Sequence, residues 1–194
     1  MIRKVLGVSL LLMASPAFAG DLSYTFAQLG YQFVEIDNDF LPGADIDGDG
    51  FAISGSFEFT DNWFAVVGYS NIDFDFDVDA DQFGLGVGYH VDISDNADAF
   101  ATLSYVSAEV SASGFGSVDE DGFGFTVGVR GMVAEQIELS GNLGYVDLGD
   151  AGDNTTLGAS ALYSFTEAFA AGVLVEFDDD ATAFGVGGRF YFGM

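Results

Sequence analysis

Cysteine is absent from this chain and lysine nearly so. Without cysteine there is no disulfide framework, no thiolate nucleophile and no thiolate metal site. Only four basic residues stand against 31 acidic ones, for a formal net charge of −27. Two of the four, Arg3 and Lys4, fall in a segment that reads as an export signal, which leaves Arg130 and Arg189. Two arginines build no basic patch, so nucleic-acid binding and electrostatic capture of anionic lipid are excluded. Proline is scarce as well, at two residues. What is abundant is glycine (27), phenylalanine (21) and acid. A strongly acidic chain invites a reading of disorder, but the aromatic content and a regular alternation argue against it.

Residues 1–19 have the layout of a signal peptide. Arg3 and Lys4 form the positive start, Val5 to Met13 the apolar stretch, and Ala17-Phe18-Ala19 the small-x-small cleavage pattern. The apolar stretch is too short for a spanning helix, which needs about 20 residues. The mature domain is then expected to be 20–194.

Period two dominates the remainder of the chain. Phe51, Ile53, Gly55, Phe57 and Phe59 interleave with Ala52, Ser54, Ser56, Glu58 and Thr60. Alternate side chains of a strand face opposite sides, so this segment has one greasy face and one small, polar face. The pattern returns from Phe83 to Ile93, Phe123 to Val133, Ile137 to Tyr145, Leu157 to Phe165, Phe169 to Phe177 and Phe184 to Phe192. Three strands change parity: Tyr24 and Phe26 against Leu29, Tyr31 and Phe33; Val67 and Tyr69 against Ile72 and Phe74; Leu103 and Tyr105 against Val106, Ala108 and Val110. A bulge changes parity in this way, and so does a strand that leaves a bilayer and continues above it.

The count is ten strands, at 22–36, 50–60, 63–78, 82–93, 97–112, 122–134, 137–148, 155–165, 168–177 and 181–192, with eight as the alternative. Most reach the ~9–11 residues with which a tilted strand crosses a bilayer. Tight turns at Thr60-Asp61-Asn62, Ser94-Asp95-Asn96, Ala134-Glu135-Gln136 and Thr166-Glu167 alternate with longer or more acidic links. Phe51, Phe83, Phe123 and Phe184 start strands that leave acidic links, whereas Phe59, Trp63, Phe165, Phe169 and Phe192 lie near the tight turns or the C-terminus. Two aromatic girdles, short turns on one side and longer loops on the other are the pattern of an outer-membrane barrel. A soluble barrel would turn its greasy face inward and carry lysine, glutamate and threonine outside. The fold class is therefore an all-β, ten-stranded antiparallel up-and-down transmembrane barrel.

Leu22-Ser23-Tyr24, Gly86-Val87-Gly88-Tyr89, Gly128-Val129-Arg130-Gly131, Leu143-Gly144-Tyr145 and the aromatic C-terminal strand give the chain a family likeness. It resembles the small outer-membrane barrels grouped with the OmpA-like and OmpX-like domains, nearest to a short, acidic, ten-stranded subfamily. The resemblance implies a bacterial outer-membrane location, contact with outer-membrane lipid and lipopolysaccharide, and insertion by the barrel assembly machinery. In that family the assembly signal usually ends on an aromatic residue; here Gly193 and Met194 come after Phe192.

The chemistry-bearing candidates are few. Glu58, His90, Asp92, Arg130, Glu138 and Arg189 all fall on inward positions near tight turns or the C-terminus. They read as a paired charge network plugging the lumen, with a gated ion path as the alternative, because unpaired charge in a narrow lumen is costly. His90 is the only histidine and sits at the end opposite the extracellular rim, where barrel enzymes of this architecture keep their reactive groups; the chain is read as non-enzymatic. Asp45-Ile46-Asp47-Gly48-Asp49-Gly50 matches the opening half of a calcium loop, but Ser56 occupies the place of the bidentate glutamate. Asp45, Asp47 and Asp49 thus read as a weak calcium site or a solvated acidic loop; no other cofactor is indicated. Gly84-x-Gly86-x-Gly88 lies within a strand and packs a lumen; it does not cradle a nucleotide. The function expected is structural or surface-interacting, through acidic extracellular loops. A narrow cation-preferring channel is the alternative, since a ring of carboxylates draws cations into a pore.

Overall fold

The structure, a computed structural model, describes residues 22–36, 46–114 and 116–192. The segment read as an export signal, and most of the link at 37–49, lie outside them. Ten strands succeed one another: β1 (Phe26–Ile36), β2 (Ile46–Thr60), β3 (Trp63–Phe74), β4 (Val78–Ser94), β5 (Ala97–Ala112), β6 (Gly116–Ala134), β7 (Ile137–Asp147), β8 (Asp153–Thr166), β9 (Phe169–Phe177) and β10 (Ala181–Tyr191). Each pairs antiparallel with its sequence neighbour, and β10 closes on β1 from Phe26↔Tyr191 to Ile36↔Ala181. Closure leaves no sheet edge and satisfies the backbone within the barrel, which a hydrocarbon surround requires. The barrel has ten strands and not eight.

Lipid-facing and lumen-facing positions are set by the alternation. Leu29, Ile53, Leu85, Leu103, Val129, Leu143 and Leu157 are each half exposed or more on the outer wall. The inward set opposite them is glycine, alanine, serine and threonine. At two places the small residue is required by a close approach. A Cβ at Gly88 would lie 2.2 Å from the Phe64 ring across β3 and β4, and one at Gly128 would lie 2.5 Å from the Phe100 ring across β5 and β6. Each phenylalanine therefore lies over a neighbouring glycine and fills lumen volume that the glycine leaves.

The parity changes are not bulges. The ladders of β1, β3 and β5 run unbroken through them. What changes is the side that is apolar. Leu29, Tyr31 and Phe33 face outward, while Tyr24, Phe26, Val34 and Ile36 are buried inside. Likewise Val67 faces outward, while Ile72 and Phe74 are buried. On β5, Leu103 and Tyr105 are outside, and Val106, Ala108 and Val110 inside. Toward the long-loop end the wall thus inverts, with acid outside and aliphatics inside, as in a strand that has left hydrocarbon for water. β2, β4 and β6 begin four to six residues earlier than alternation alone suggests, at Ile46, Val78 and Gly116. Their first residues carry aspartate outward, so they lack the lipid-facing pattern.

The bulges sit elsewhere, one beside each tight turn. Register slips between Glu58 and Thr60, Asp92 and Ser94, Met132 and Ala134, and Ser164 and Thr166. The residues slipped over are Phe59, Ile93, Val133 and Phe165, all more than half exposed. An extra residue bends and twists its strand, and here it also presents a large apolar side chain at the rim. Adjacent hairpins are tied by the turn carbonyls: Asn62, Asn96, Gln136 and Ala168 accept the N–H of His90, Met132, Ser164 and Tyr191 at 2.9–3.0 Å. The side-chain amides of Asn62 and Asn96 return the bond to the carbonyls of His90 and Met132.

The lumen holds two separate cores. Near the tight turns Tyr24, Phe26, Phe64, Phe100, Leu162 and Tyr191 pack together. At the long-loop end Val34, Ile36, Ile46, Ile72, Val106, Val110 and Leu148, with the Phe74 ring among them, form a largely aliphatic core across the barrel.

Candidate functional sites: the lumen charge cluster and the acidic collar

The aromatic core near the tight turns holds both arginines of the described residues, Arg130 and Arg189. Arg130 rises from β6 opposite Asp98 of β5, and its Nη2 lies 3.6 Å from Asp98 Oδ2. Its guanidinium carbon stands 3.7 Å above the centre of the Tyr24 ring, and Tyr24 Oη donates to Asp98 Oδ2 at 3.3 Å. Arg189 stands over the Phe26 ring at 4.2 Å and donates from Nε to Gln28 Oε1 at 2.8 Å. Glu138, 3% exposed, acts on Arg189 and Tyr191 from β7. Stacking on aromatic faces suits guanidinium, which is planar and weakly hydrated, and helps it remain charged out of bulk water.

His90 completes the cluster from β4. Its ring stacks on Tyr24 with centroids 4.0 Å apart and 17° between the planes, and Phe64, itself stacked on Tyr24 at 4.4 Å, lies tilted to the imidazole at 6.1 Å. Nε2 is 3.0 Å from Glu58 Oε1 and Nδ1 is 3.7 Å from Asp98 Oδ2. Asp92 lies directly across from Asp98 at the end of the β4–β5 ladder and is exposed. A cavity of about 830 Å³ opens at this mouth, lined by Glu58, Asp61, His90, Asp92 and Asp98 among others.

The second feature encircles the long-loop end on the outer wall. Tyr31, Tyr69 and Tyr105 each pair directly with a phenylalanine, respectively Phe51, Phe83 and Phe123. Two residues before each phenylalanine stands an aspartate that takes the tyrosine hydroxyl: Asp49 from Tyr31, Asp81 from Tyr69, and Asp121 from Tyr105 at 2.6 Å. The ring lies at the girdle and the hydroxyl reaches toward water, the placement favoured for tyrosine at a membrane interface. Beyond the girdle, acids stand directly opposite one another: Asp49↔Asp73↔Asp79 across β2, β3 and β4, and Asp81↔Glu109↔Asp119 across β4, β5 and β6. Like charges so placed are unfavourable. The repulsion shows at Asp79, whose shared hydrogen bond with Asp73 holds its carboxyl above the usual carboxylate range. Asp121 is shifted the other way, below that range, by hydrogen bonds from Tyr105 and Ser107. Among the described residues no basic side chain reaches the outer surface, since Arg130 and Arg189 are 2% and 0% exposed.

The six lumen residues singled out in the sequence do converge at one end, with Asp92 at the mouth and Glu58 half-buried. Sequence reasoning missed Asp98, although its parity matches inward Thr102 and Ser104. It also missed Tyr24, which links Asp98 to Arg130 and His90, and Glu176, 6% exposed in the lumen of β9. Of the three aspartates read as a weak calcium site, the described residues place two. Asp45 lies outside the described residues. Asp47 and Asp49 stand outward on extended β2, opposite Glu35 and Phe33. Alternate residues of a strand project in parallel, about 6.6 Å apart, and do not wrap an ion as a loop does.

Comparison with known proteins agrees with this architecture. Among solved structures, the KdgM porin in complex with disordered oligogalacturonate is 12% identical with a TM-score of 0.50, covering 86% of this chain and 99% of that one. Neisserial surface protein A is 16% identical with a TM-score of 0.48, covering 88% and 98%. Ail, the attachment invasion locus protein of Yersinia pestis, is 14% identical with a TM-score of 0.45, covering 87% and 97%. No curated protein sequence matches. The family model described as "Outer membrane protein beta-barrel domain" matches residues 5–165. With a closed ten-stranded wall that is greasy outside, the chain belongs to the outer-membrane protein β-barrel domain family.

Proposed function

We propose that the protein is a closed, non-enzymatic barrel of the bacterial outer membrane that acts through its exterior, with the tight turns in the periplasm and the acidic collar outside the cell. One observation carries the reading: the largely aliphatic core of Val34, Ile36, Ile72, Phe74, Val106 and Val110 spans the lumen at the long-loop end. Hydrated ions and sugars have no polar lining to track through such a core. The charge cluster fills the other end. His90 supports a non-enzymatic role, because it bonds a carboxylate and is stacked on Tyr24 within the lumen core.

The outer wall meets membrane lipid between the girdles. Above them the collar meets lipopolysaccharide, whose phosphates it can approach only through bridging divalent cations, since it presents acid alone. The barrel assembly machinery is the partner in insertion. A cation-preferring channel is the second reading, favoured by the surplus of carboxylates over guanidinium groups in the lumen; it requires the aliphatic core to part. Liposome swelling with small sugars separates the two. Proteoliposomes holding the folded chain should swell no faster than empty ones, and swelling graded by solute size would overturn the closed reading.

A further inference from the structure

The charges of the lumen cluster do not balance. By formal charge, the four carboxyl groups of Glu58, Asp92, Asp98 and Glu138 outnumber the two guanidinium groups of Arg130 and Arg189 by two. The surplus lies at the mouth, where Asp92 and Asp98 stand directly opposite one another. Beside them His90, 6% exposed, has a buried Nδ1 without a hydrogen-bond partner. Its nearest neighbour there is Asp98 Oδ2 at 3.7 Å, beyond hydrogen-bond reach.

The other ring nitrogen explains why Nδ1 is available. Glu58 Oε1 lies 3.0 Å from Nε2. A carboxylate there accepts Nε2–H, fixes that tautomer and leaves the lone pair on Nδ1. This is the carboxylate–histidine arrangement that orients imidazole ligands toward metals. The ring is held in place by burial and by its stack on Tyr24. One ligand atom from each of His90, Asp92 and Asp98 fits within 4.8 Å of the others.

We propose that the mouth binds a divalent cation through His90 Nδ1, Asp92 and Asp98, with Glu58 as the positioning residue. One imidazole with two carboxylates suits a borderline first-row ion such as zinc or cobalt better than calcium, which takes oxygen ligands alone. The cavity admits water to the remaining coordination positions. Asp98 can serve the cation while keeping Tyr24 and Arg130, because a carboxylate offers about four lone-pair sites. A charge of two cancels the surplus, and the cation locks β4 to β5 beside the mouth.

The test is titration of the full chain, refolded in detergent micelles, with cobalt monitored by its visible absorption and with zinc monitored by calorimetry. One equivalent should bind. Asp92→Asn and His90→Gln should each lower the affinity by about tenfold or more, and Glu58→Gln by about 10–100-fold. Asp73→Asn with Asp79→Asn in the collar should leave it unchanged. Asp92 is exposed, so its variant tests the site even if the His90 variant fails to show the heat-modifiable gel mobility of a folded barrel. Absence of binding by the wild-type chain, undiminished binding by folded Asp92→Asn, or loss of the equivalent in the collar variant would each overturn the proposal.

Discussion

Arg130 shows what a single side chain does in a lumen of this kind. It is fully buried, its guanidinium covers Tyr24, and Asp98 lies 3.6 Å away. Removing one partner of a buried pair leaves the other charge uncompensated, at a cost of about 3–5 kcal/mol. Arg130→Met should therefore destabilise the folded barrel by about that much in chemical unfolding from lipid or detergent. Adding Asp98→Asn should restore part of the loss, and full additivity of the two variants would contradict the pairing. The inward position of Arg130 was legible from its parity beside Val127 and Val129. Its partner was not, because the choice among several acids depends on the register between β5 and β6, which alternation within one strand does not carry.

At the scale of the hairpin, β3 and β4 set Asp73 and Asp79 face to face outside the girdle. Asp79 holds its proton more tightly in the fold than in the unfolded chain, through its shared hydrogen bond with Asp73. A raised carboxylate favours the fold below the ordinary carboxylate range and loses that contribution as pH rises through the raised value. At neutral pH the pair is repulsive. Asp79→Asn should thus raise the temperature at which the folded gel form is lost at pH 7, and the gain should vanish on acidification. A gain equal at both pH values would contradict the shared proton. Asp121 works in the opposite sense, stabilising at neutral pH and losing that effect on acidification, so the variant comparison and not the wild-type profile isolates Asp79. Strands and tight turns were legible here from period two and from Asp-Asn and Glu-Gln pairs. The bulges at Phe59, Ile93, Val133 and Phe165 were not, since a bulge placed beside a turn leaves the parity of the remaining strand intact. The turn after β3 was also hidden: Phe76 and Asp77 have φ of 68° and 55°, a left-handed conformation that aspartate tolerates but phenylalanine does not announce.

The whole molecule is a cylinder whose wall changes solvent along its length. Between the girdles the outer face is aliphatic and aromatic; beyond the upper girdle it is acidic, and the aliphatic residues move inside. The three parity changes record that boundary in the sequence, but alone they leave a bulge and an emerging strand indistinguishable; the unbroken ladders decide between them. Leu103, 56% exposed between the girdles, tests where hydrocarbon lies. Leu103→Arg should destabilise the lipid-inserted barrel by about 2–4 kcal/mol, the range for a cation near the bilayer midplane. A neutral effect would place that wall in water.

In the function proposed, two cores, one largely aliphatic and one charged and aromatic, close the lumen. Single-channel recording of the refolded chain in a planar bilayer tests this closure most directly, with folding confirmed by heat-modifiable gel mobility. A silent bilayer is the result predicted. Stable, cation-selective conductance steps from the folded wild-type protein would contradict the closure.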